Sequence, residues 1–511
     1  MISKVHSMTI NGLESTVVDV EVDINNWLPA FTIVWLPDAS VQESKERLRS
    51  AMKSSWAKLS TNRITVNLAP ADIKKRWPSF DLSIAIWLLL NDEFIINDSL
   101  IKDSIFLWEL ALDWSLRKIT SVLPATIEAS KKWFKRVFIP IENSLEASIV
   151  PNIDVVPIEN LKDLIDILNQ RKDLEVQEKF NFWKELNNHI NSNYDFKYIV
   201  WQEHAKRALE IAASGWHNII MSWPPWSWKT MLAKSFSTIL PDLTIEEAIE
   251  VSKIYSISWL LDNNNPIIRQ RPFRTVHHTA SWVSIIWWWA NAKPWEISLA
   301  HKWILFLDEI LEFNKSVLEV LRQPLEDGNI TVTRVNASYK YPAKFSLVWA
   351  MNPCPCWYLT DPDKECECSS LQVKNYNSRL SWPLIDRIDI FIEVPKVKTE
   401  KLSVEEDYKD KQSSKDIKER VEASRVIQLN RFKDTKITCN SEMWTKEINK
   451  YCKLDRETDN ILKQAVNSMN LSARSYYRVL KLSRTIADLE RNKNIEKEHV
   501  LEALSFRKKE S

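Results

Sequence analysis

Residues 221–230 read Met-Ser-Trp-Pro-Pro-Trp-Ser-Trp-Lys-Thr, and the meaning of three of those letters decides the fold. With glycine at Trp223, Trp226 and Trp228 the stretch becomes GPPGSGKT. That is the G-x-x-x-x-G-K-[ST] loop, set between the apolar strand NIIM and the helical MLAKSFSTIL. Phosphate binding at such a loop needs residues without a side chain. Successive backbone N–H groups must converge on the phosphates at distances that a Cβ blocks. Three indoles fill the phosphate site instead.

The whole chain has this inversion. It holds 3 glycines and 25 tryptophans in 511 residues, whereas an ordinary chain of that length carries roughly 36 glycines. Trp287, Trp288 and Trp289 form a run that no soluble core accommodates, while three glycines make an ordinary loop. Trp35 in IVWLPDAS, Trp108 in FLWELALDW and Trp382 in LSWPLIDR fall at turns where positive φ is expected. The expectation is a bacterial gene whose UGA codons mean glycine, translated with a table that reads UGA as tryptophan. Trp183, in the polar FNFWKEL, is the readiest genuine tryptophan.

On that reading the backbone of Trp223, Pro224, Pro225, Trp226, Ser227 and Trp228 wraps the phosphates of ATP. Lys229 supplies charge to the β- and γ-phosphates, and the Thr230 hydroxyl ligates Mg²⁺. Asp308 and Glu309 end the apolar ILFLDEI. There Asp308 holds Mg²⁺ through water and Glu309 orients or deprotonates the attacking water. Asn352 ends the next apolar run, FSLVWAMN, where its amide can help place that water; the bland alternative is a turn before Pro353. SRLSWPLIDRIDIFIEV presents Arg379 and Arg387. Arg387 is the candidate for reaching a neighbouring subunit's γ-phosphate, against a salt bridge to Asp386 or Asp389. Arg474, Arg478 and Lys481 make a basic stripe in LSARSYYRVLKLSRTIADLE, with Arg474 placed to contact nucleotide.

Hydrophobic residues at 45% and charged residues at 27% describe a globular chain of two or three domains. A net charge of +1 gives no global attraction to nucleic acid, so such binding must come from local basic loops or a ring of subunits. The start MISKVHSMTINGLEST lacks an apolar signal region, and the run IAIWLLL is far short of the ~20 residues of a membrane span. A cytoplasmic location without membrane partners is expected. Residues 1–168 alternate β-branched runs and amphipathic helices, including SVQESKERLRSAMKSS, as an α/β domain. Residues 169–195 read as a linker or solvated helix, 196–395 as a parallel-sheet nucleotide domain, and 396–511 as a charged loop followed by helices.

The chain resembles, end to end, the ComM/YifB family of magnesium-chelatase-like AAA+ ATPases. The strings that carry the resemblance include NLAPADIKKRWPSFDLSIAI, RPFRTVHHTASWVSIIWWWANAKPWEISLAHKWILFLDEI, VLRQPLEDG, AMNPCPCWY and LSWPLIDRIDI. The resemblance implies a Lon-protease-like N-terminal domain of the ribosomal-S5 type, a AAA+ P-loop core with a parallel sheet, and a C-terminal helical lid. It implies a hexameric homo-oligomer that acts on DNA in branch migration and natural transformation, with recombination proteins as partners. Alternatives are a chelatase-type remodelling ATPase and a Lon-like protease. By resemblance Lys229 and Thr230 are Walker A, Asp308 and Glu309 Walker B, Asn352 sensor 1, Arg387 the finger and Arg474 sensor 2.

Cys354, Cys356, Cys366 and Cys368 form C-x-C, nine residues, C-x-C. Four thiolates there can close a tetrahedral Zn²⁺ site, although C-x-C is tighter than the usual spacing. The alternative is a loop of free or redox-active thiols. Cys439 and Cys452 look like isolated helical residues. His277, His278, Glu296 and His301 lack a metal-ligand spacing and read as loop-holding groups. By resemblance 273–303 face a ring's pore, with Lys293 a candidate contact to a nucleic-acid backbone. Lys74, Lys75, Ser79 and Ser83 offer no nucleophile at a strained turn beside a base, so proteolysis is not expected.

Overall fold

The computed structural model describes residues 4–507 except 26–29, 35–47, 49–62, 72–79, 92–93, 96–97, 112–114, 183–193, 200–201, 224–228, 263–264, 270, 272, 277–295, 335–336, 362, 396–410 and 436. The chain divides into two units. Unit 1 comprises Met1–Asn188, Thr244–Arg269 and Val332–Tyr341, and unit 2 the rest. Two segments of the expected 196–395 domain thus cluster with the N-terminal region.

Unit 1 carries a seven-stranded sheet. Its strands are β1 (Val5–Asn11), β2 (Glu14–Asn25), β3 (Ala30–Val34), β4 (Arg63–Ala69), β5 (Ser104–Phe106), β6 (Arg136–Pro140) and β7 (Asp154–Ile158), in the order β3-β4-β2-β1-β5-β6-β7. The β1–β2 hairpin closes over Gly12 and Leu13, with Gly12 at φ 68 as the first central residue of a two-residue loop requires. From β1 to β7 the pairing is parallel. Helices α1 (Asp81–Asn91), α2 (Val122–Lys131) and α3 (Leu161–Leu168) supply its apolar cover. Residues 81–89 of α1 are all buried, which explains an apolar run without amphipathic period. The helix Ile245–Ile257 opens with a Thr244/Glu247 capping box and belongs to this unit, where Ser256 Oγ donates to buried Glu146 Oε1 at 2.6 Å. Residues 172–181 form neither a free linker nor a helix. They run extended along unit 1, with the N–H of Gln177 donating to Val155 O (2.8 Å) and that of Phe180 to Ser148 O (3.2 Å).

Unit 2 is built on helix α4 (Glu203–Gly215), strand β8 (Ile219–Ser222), helix α5 (Lys229–Phe236), and strands β9 (Phe273–Val276), β10 (Ile304–Leu307) and β11 (Ser346–Met351). Helix α6 (Ser370–Asn377) and strand β12 (Ile390–Glu393) follow. The sheet order is β9-β10-β11-β8-β12 and every pairing is parallel. β10 and β11 are buried at every position, as expected of strands covered on both faces. Helices α7 (Ser414–Arg431) and α8 (Ala473–Leu489), with the shorter Thr445–Tyr451, Arg456–Ser468 and Lys497–Ser505, form the expected helical C-terminal region. α7 is joined to α4 by Gln428 Nε2 donating to Ser214 O (3.0 Å) and by the Ser214–Ser424 hydroxyl pair (2.6 Å). A Cβ on Gly215 would lie 2.3 Å from His217 Nε2 and 2.6 Å from Thr485 Oγ1, so this position tolerates only glycine.

Four of the described tryptophans, Trp133, Trp216, Trp259 and Trp357, stand at left-handed positions that glycine usually holds. After α2, Trp133 sits at φ 66; its N–H donates to Ser130 O and that of Phe134 to Ala129 O, both 3.1 Å. After Ile245–Ile257, Trp259 sits at φ 63, with Trp259 N–H to Ser256 O (3.3 Å) and Leu260 N–H to Tyr255 O (3.0 Å). These are two Schellman ends with the left-handed residue at C′, a position usually held by glycine. Trp216 ends α4 at φ 61, and the N–H of His217 returns to Ala212 O at 3.0 Å. Trp357 is the fourth, at φ 74. Trp108 and Trp382, expected at positive φ, are not there: Trp108 is buried just past β5, and Trp382 opens the short helix Trp382–Ile385. Trp108, Trp223 and Trp349 are fully buried with indole Nε1 lacking a hydrogen-bond partner among the described residues. Trp35, Trp183, Trp287, Trp288 and Trp289 lie outside the described residues.

Candidate functional site

The sheet order creates the site. β11 separates β8 from β10, so whatever follows β11 at its carboxyl end stands between the groups that follow the other two strands. Ligands of open parallel sheets bind at that edge. Asn352 follows β11, Lys229 opens α5 after β8, and Asp308 and Glu309 follow β10. Lys229 Nζ donates to Asn352 Oδ1 at 2.6 Å. Burial pulls the Lys229 ammonium below its ordinary pKa, opposed by the Asp308 and Glu309 carboxylates. The Trp223 N–H donates to Met351 O at 3.0 Å, tying the loop's first residue to the end of β11.

Glu309 adopts φ 52, a left-handed conformation uncommon outside glycine, and its N–H donates to Asp308 Oδ1 at 2.9 Å. Such strain costs of order 1–3 kcal/mol and concentrates at functional sites. Asn352 is buried, and its Nδ2 makes no full hydrogen bond among the described residues. A half-buried lysine, two carboxylates and an unsatisfied amide donor suit a magnesium nucleotide. The buried indole of Trp223 does not suit one, because it stands at the loop's first glycine position. Pro224, Pro225, Trp226, Ser227, Trp228 and the Thr230 side chain lie outside the described residues.

Around this centre, Arg379 donates to Leu311 O (2.8 Å) and Glu312 Oε2 (3.2 Å). Tyr376, on α6, was not singled out in the sequence. Burial and the Glu312 carboxylate raise its phenol above the ordinary tyrosine range, while the Asn352 amide and Arg379 act the other way. No periodicity marks it, since only the chain's return through the cysteine loop brings it to Asn352. Arg387 is buried and pairs with Glu326 Oε1 at 2.7 Å, not with Asp386 or Asp389, and also donates to Pro383 O. Arg474 is exposed, 3.5 Å from Asp386 Oδ2. The rest of the basic stripe is not solvated. Arg478 pairs with buried Asp389, which also meets His217 Nδ1 at 3.2 Å, and Lys481 donates to Ser441 O at 2.8 Å.

The Sγ atoms of Cys354, Cys356, Cys366 and Cys368 all lie within 4.8 Å of one another, the single such metal-ligand group among the described residues. His301 Nδ1 accepts from Lys344 N–H at 3.1 Å and Glu296 pairs with Arg274 at 3.7 Å, holding chain segments as expected. His277, His278 and Lys293 lie outside the described residues, as do Lys74, Lys75 and Ser79. Ser83 is buried in the first turn of α1 with no partner for its Oγ among the described residues. Cys439 and Cys452 are buried free thiols at helix ends rather than within helices.

A parallel sheet with this motif order and a helical C-terminal region fits a magnesium-chelatase-like AAA+ fold. Three family models match: "Magnesium chelatase, subunit ChlI" over residues 195–402, "Subunit ChlI of Mg-chelatase" over 20–143, and "Magnesium chelatase, subunit ChlI C-terminal" over 411–507. The chain is 39% identical to Competence protein ComM of Haemophilus influenzae, covering 98% of this chain and 97% of that protein. It is 35% identical to the uncharacterized protein YifB of Escherichia coli, covering 99% and 97%. A Mycobacterium tuberculosis protein, Rv2897c, is 32% identical over 99% and 98%. The chain belongs to the ComM/YifB family of magnesium-chelatase-like proteins. No helix among the described residues is long and apolar enough to cross a membrane.

Proposed function

We propose that this chain is the subunit of a hexameric, ATP-driven ring that moves on DNA in the cytoplasm, promoting branch migration in recombination and in the uptake of transforming DNA. The observation that carries the ATPase is the convergence of Lys229, Asn352, Asp308 and Glu309 at one sheet edge, anchored by the 2.6 Å Lys229–Asn352 bond. Lys229 neutralises the β- and γ-phosphates, Thr230 and Asp308 hold Mg²⁺, and Glu309 orients the attacking water. Arg387 acts as finger by exchanging Glu326 for a neighbour's γ-phosphate, and Arg474 contacts nucleotide from α8. Residues 1–168 are a Lon-protease-like domain used as scaffold or to engage substrate, without proteolysis. The four thiols of the cysteine loop take Zn²⁺. The DNA substrate rests on the family, in which the Haemophilus influenzae protein is named for competence.

The matching chelatase-subunit models favour a second reading, a ring that remodels a partner protein. ATPase assays with branched DNA separate the two. Stimulation by DNA supports the motor; DNA without effect and stimulation by a protein partner selects the remodeller.

The ATPase needs a loop free of indoles, and we infer that the cell inserts glycine at most positions written as tryptophan. The left-handed helix ends at Trp133, Trp216 and Trp259 and the orphaned buried indoles support this. Peptide masses from the native organism test it: tryptophan at 226 and 228 would refute it.

A further inference from the structure

The cysteine loop leaves Asn352 and returns to the same site. Cys354 is two residues after Asn352, and Cys368 is one residue before Ser369, whose hydroxyl caps α6 in a box with Gln372. Just past α6, Arg379 donates to Leu311 O and Glu312 Oε2, in the turn where the Glu312 N–H donates back to Glu309 O at 2.8 Å. Between these ends the loop has no apolar core. Pro355, Leu359, Thr360, Asp363, Lys364, Glu365 and Glu367 are exposed, and the sulfurs form its interior. A segment of this length without a core of its own needs a cross-link to hold one shape.

The sulfurs have the geometry of a metal cage rather than of disulfides. All are free thiols, with Sγ···Sγ distances of 3.3 Å for 354–356, 3.6 Å for 354–366 and 3.5 Å for 356–366. Zn–S bonds of about 2.3 Å at tetrahedral angles set the sulfurs about 3.8 Å apart, and a disulfide sets them at about 2.05 Å. The backbone supports the same picture. The N–H of Tyr358 faces the Cys356 sulfur and that of Leu359 the Cys354 sulfur, as outer-shell donors do around thiolate ligands. Trp357, at φ 74 with its N–H on Cys354 O (3.1 Å), turns the chain so that these amides point back.

We propose that Cys354, Cys356, Cys366 and Cys368 bind one structural zinc ion, and that this ion fixes α6 so that Arg379 holds the Glu309–Glu312 turn of the ATPase site. The positioning half rests on the ATPase reading above; the zinc half does not. Arg379 is a positioning residue: it holds Leu311 O and Glu312, not the reacting atoms.

The test uses the full chain with glycine at the UGA-encoded positions. Elemental mass spectrometry of protein purified without chelator is expected to give one zinc per chain. Replacement by Co²⁺ is expected to give the thiolate-to-metal absorption of a tetrahedral site, lost in Cys366→Ser/Cys368→Ser. That variant and Arg379→Gln are each expected to lower kcat for ATP about 10- to 100-fold with KM little changed, Arg379→Gln keeping its zinc. Combining them is expected to cost no more than either alone, the signature of one coupled unit. Metal-free protein, or disulfides among the four cysteines, overturns the zinc site. Full kcat in the zinc-free variant, or losses that multiply, overturns the positioning role while leaving the zinc. A parent that neither binds nor hydrolyses ATP overturns the ATPase reading and the positioning role with it, and the metal measurements still decide the zinc site.

Discussion

Replacing Trp133 by glycine in the tryptophan-bearing chain is expected to stabilise it, although it removes the largest side chain. Trp133 is 90% exposed, so its ring contributes almost no burial. Its φ of 66 costs about 1–2 kcal/mol in any residue with a Cβ. Glycine removes that cost but adds freedom to the unfolded chain, worth about 0.5–1 kcal/mol. The net is a gain of about 0.5–1 kcal/mol, placed where the N–H groups of residues 133 and 134 close the end of α2. Hydrogen exchange reads this locally, and slowing of about two- to fivefold at those amides is expected in Trp133→Gly. Trp133→Ala keeps a Cβ in the same left-handed conformation and is expected to gain nothing. Faster exchange in the glycine variant, or equal slowing in the alanine variant, would refute the claim that backbone handedness governs this position.

Glu309→Gln keeps the shape of the site but not the charge that orients water. It is expected to bind ATP at near-parental affinity with turnover down about 10²–10⁴-fold; near-parental turnover removes Glu309 from the mechanism. Glu146 is buried, and burial raises its pKa despite donors from Ser256, Leu123 and Asn143. A raised folded pKa means the folded state holds the proton more tightly. Stability is therefore greatest below the ordinary glutamate range and falls, by about 1.4 kcal/mol per pH unit, as pH rises toward the folded value. Urea denaturation of Glu146→Gln is expected to lose that slope, and an unchanged slope contradicts the assignment. Asp389 is the opposite case: burial would raise its pKa, but Arg478 and then His217 hold it well below the carboxylate range. Its contribution is present above the ordinary aspartate range and is lost only as pH falls through the depressed value. Asp389→Asn, which strands buried partners, is expected to destabilise unit 2 by about 3–5 kcal/mol at neutral pH and still at pH 4, and a loss under 1 kcal/mol counts against the buried pair.

The sheet and its chemistry were legible because both follow from short-range pattern. β8, β10 and β11 are apolar runs that each end in a polar residue, and only a parallel sheet brings three such ends to one edge. What stayed hidden depends on distant partners. From sequence Arg387 reads as a finger, with a salt bridge to the adjacent Asp386 or Asp389 as the alternative; Asp389 is taken by Arg478 and His217, and Arg387 turns to Glu326, which lies far off in sequence. The charged stretch after Asn169 reads as a linker or solvated helix; residues 172–181 are largely exposed but not helical, and Gln177 and Phe180 give backbone N–H groups to unit 1, because an extended segment needs no apolar face when its amides find carbonyls. Two of the turns expected to demand positive φ do not have it. Trp108 and Trp382 adopt ordinary φ, whereas Trp133, Trp216 and Trp259 show the left-handed ends that a helix terminus forces.

Those helix ends bear on the phosphate loop even though Pro224–Trp228 lie outside the described residues. Decoding is a property of the codon and not of the position. If the three helix ends and Trp226 and Trp228 share the codon UGA, they share one residue. The helix ends want glycine for backbone reasons that make no reference to ATP. The loop wants it for reasons that make no reference to helix ends. Agreement between two unrelated demands under a single change of code is the argument for that change. It also predicts an exception: Trp183 should be spelled UGG. A UGA there would set glycine in FNFWKEL without any structural demand, and UGG at 133, 216 and 259 would break the link between the helix ends and the loop.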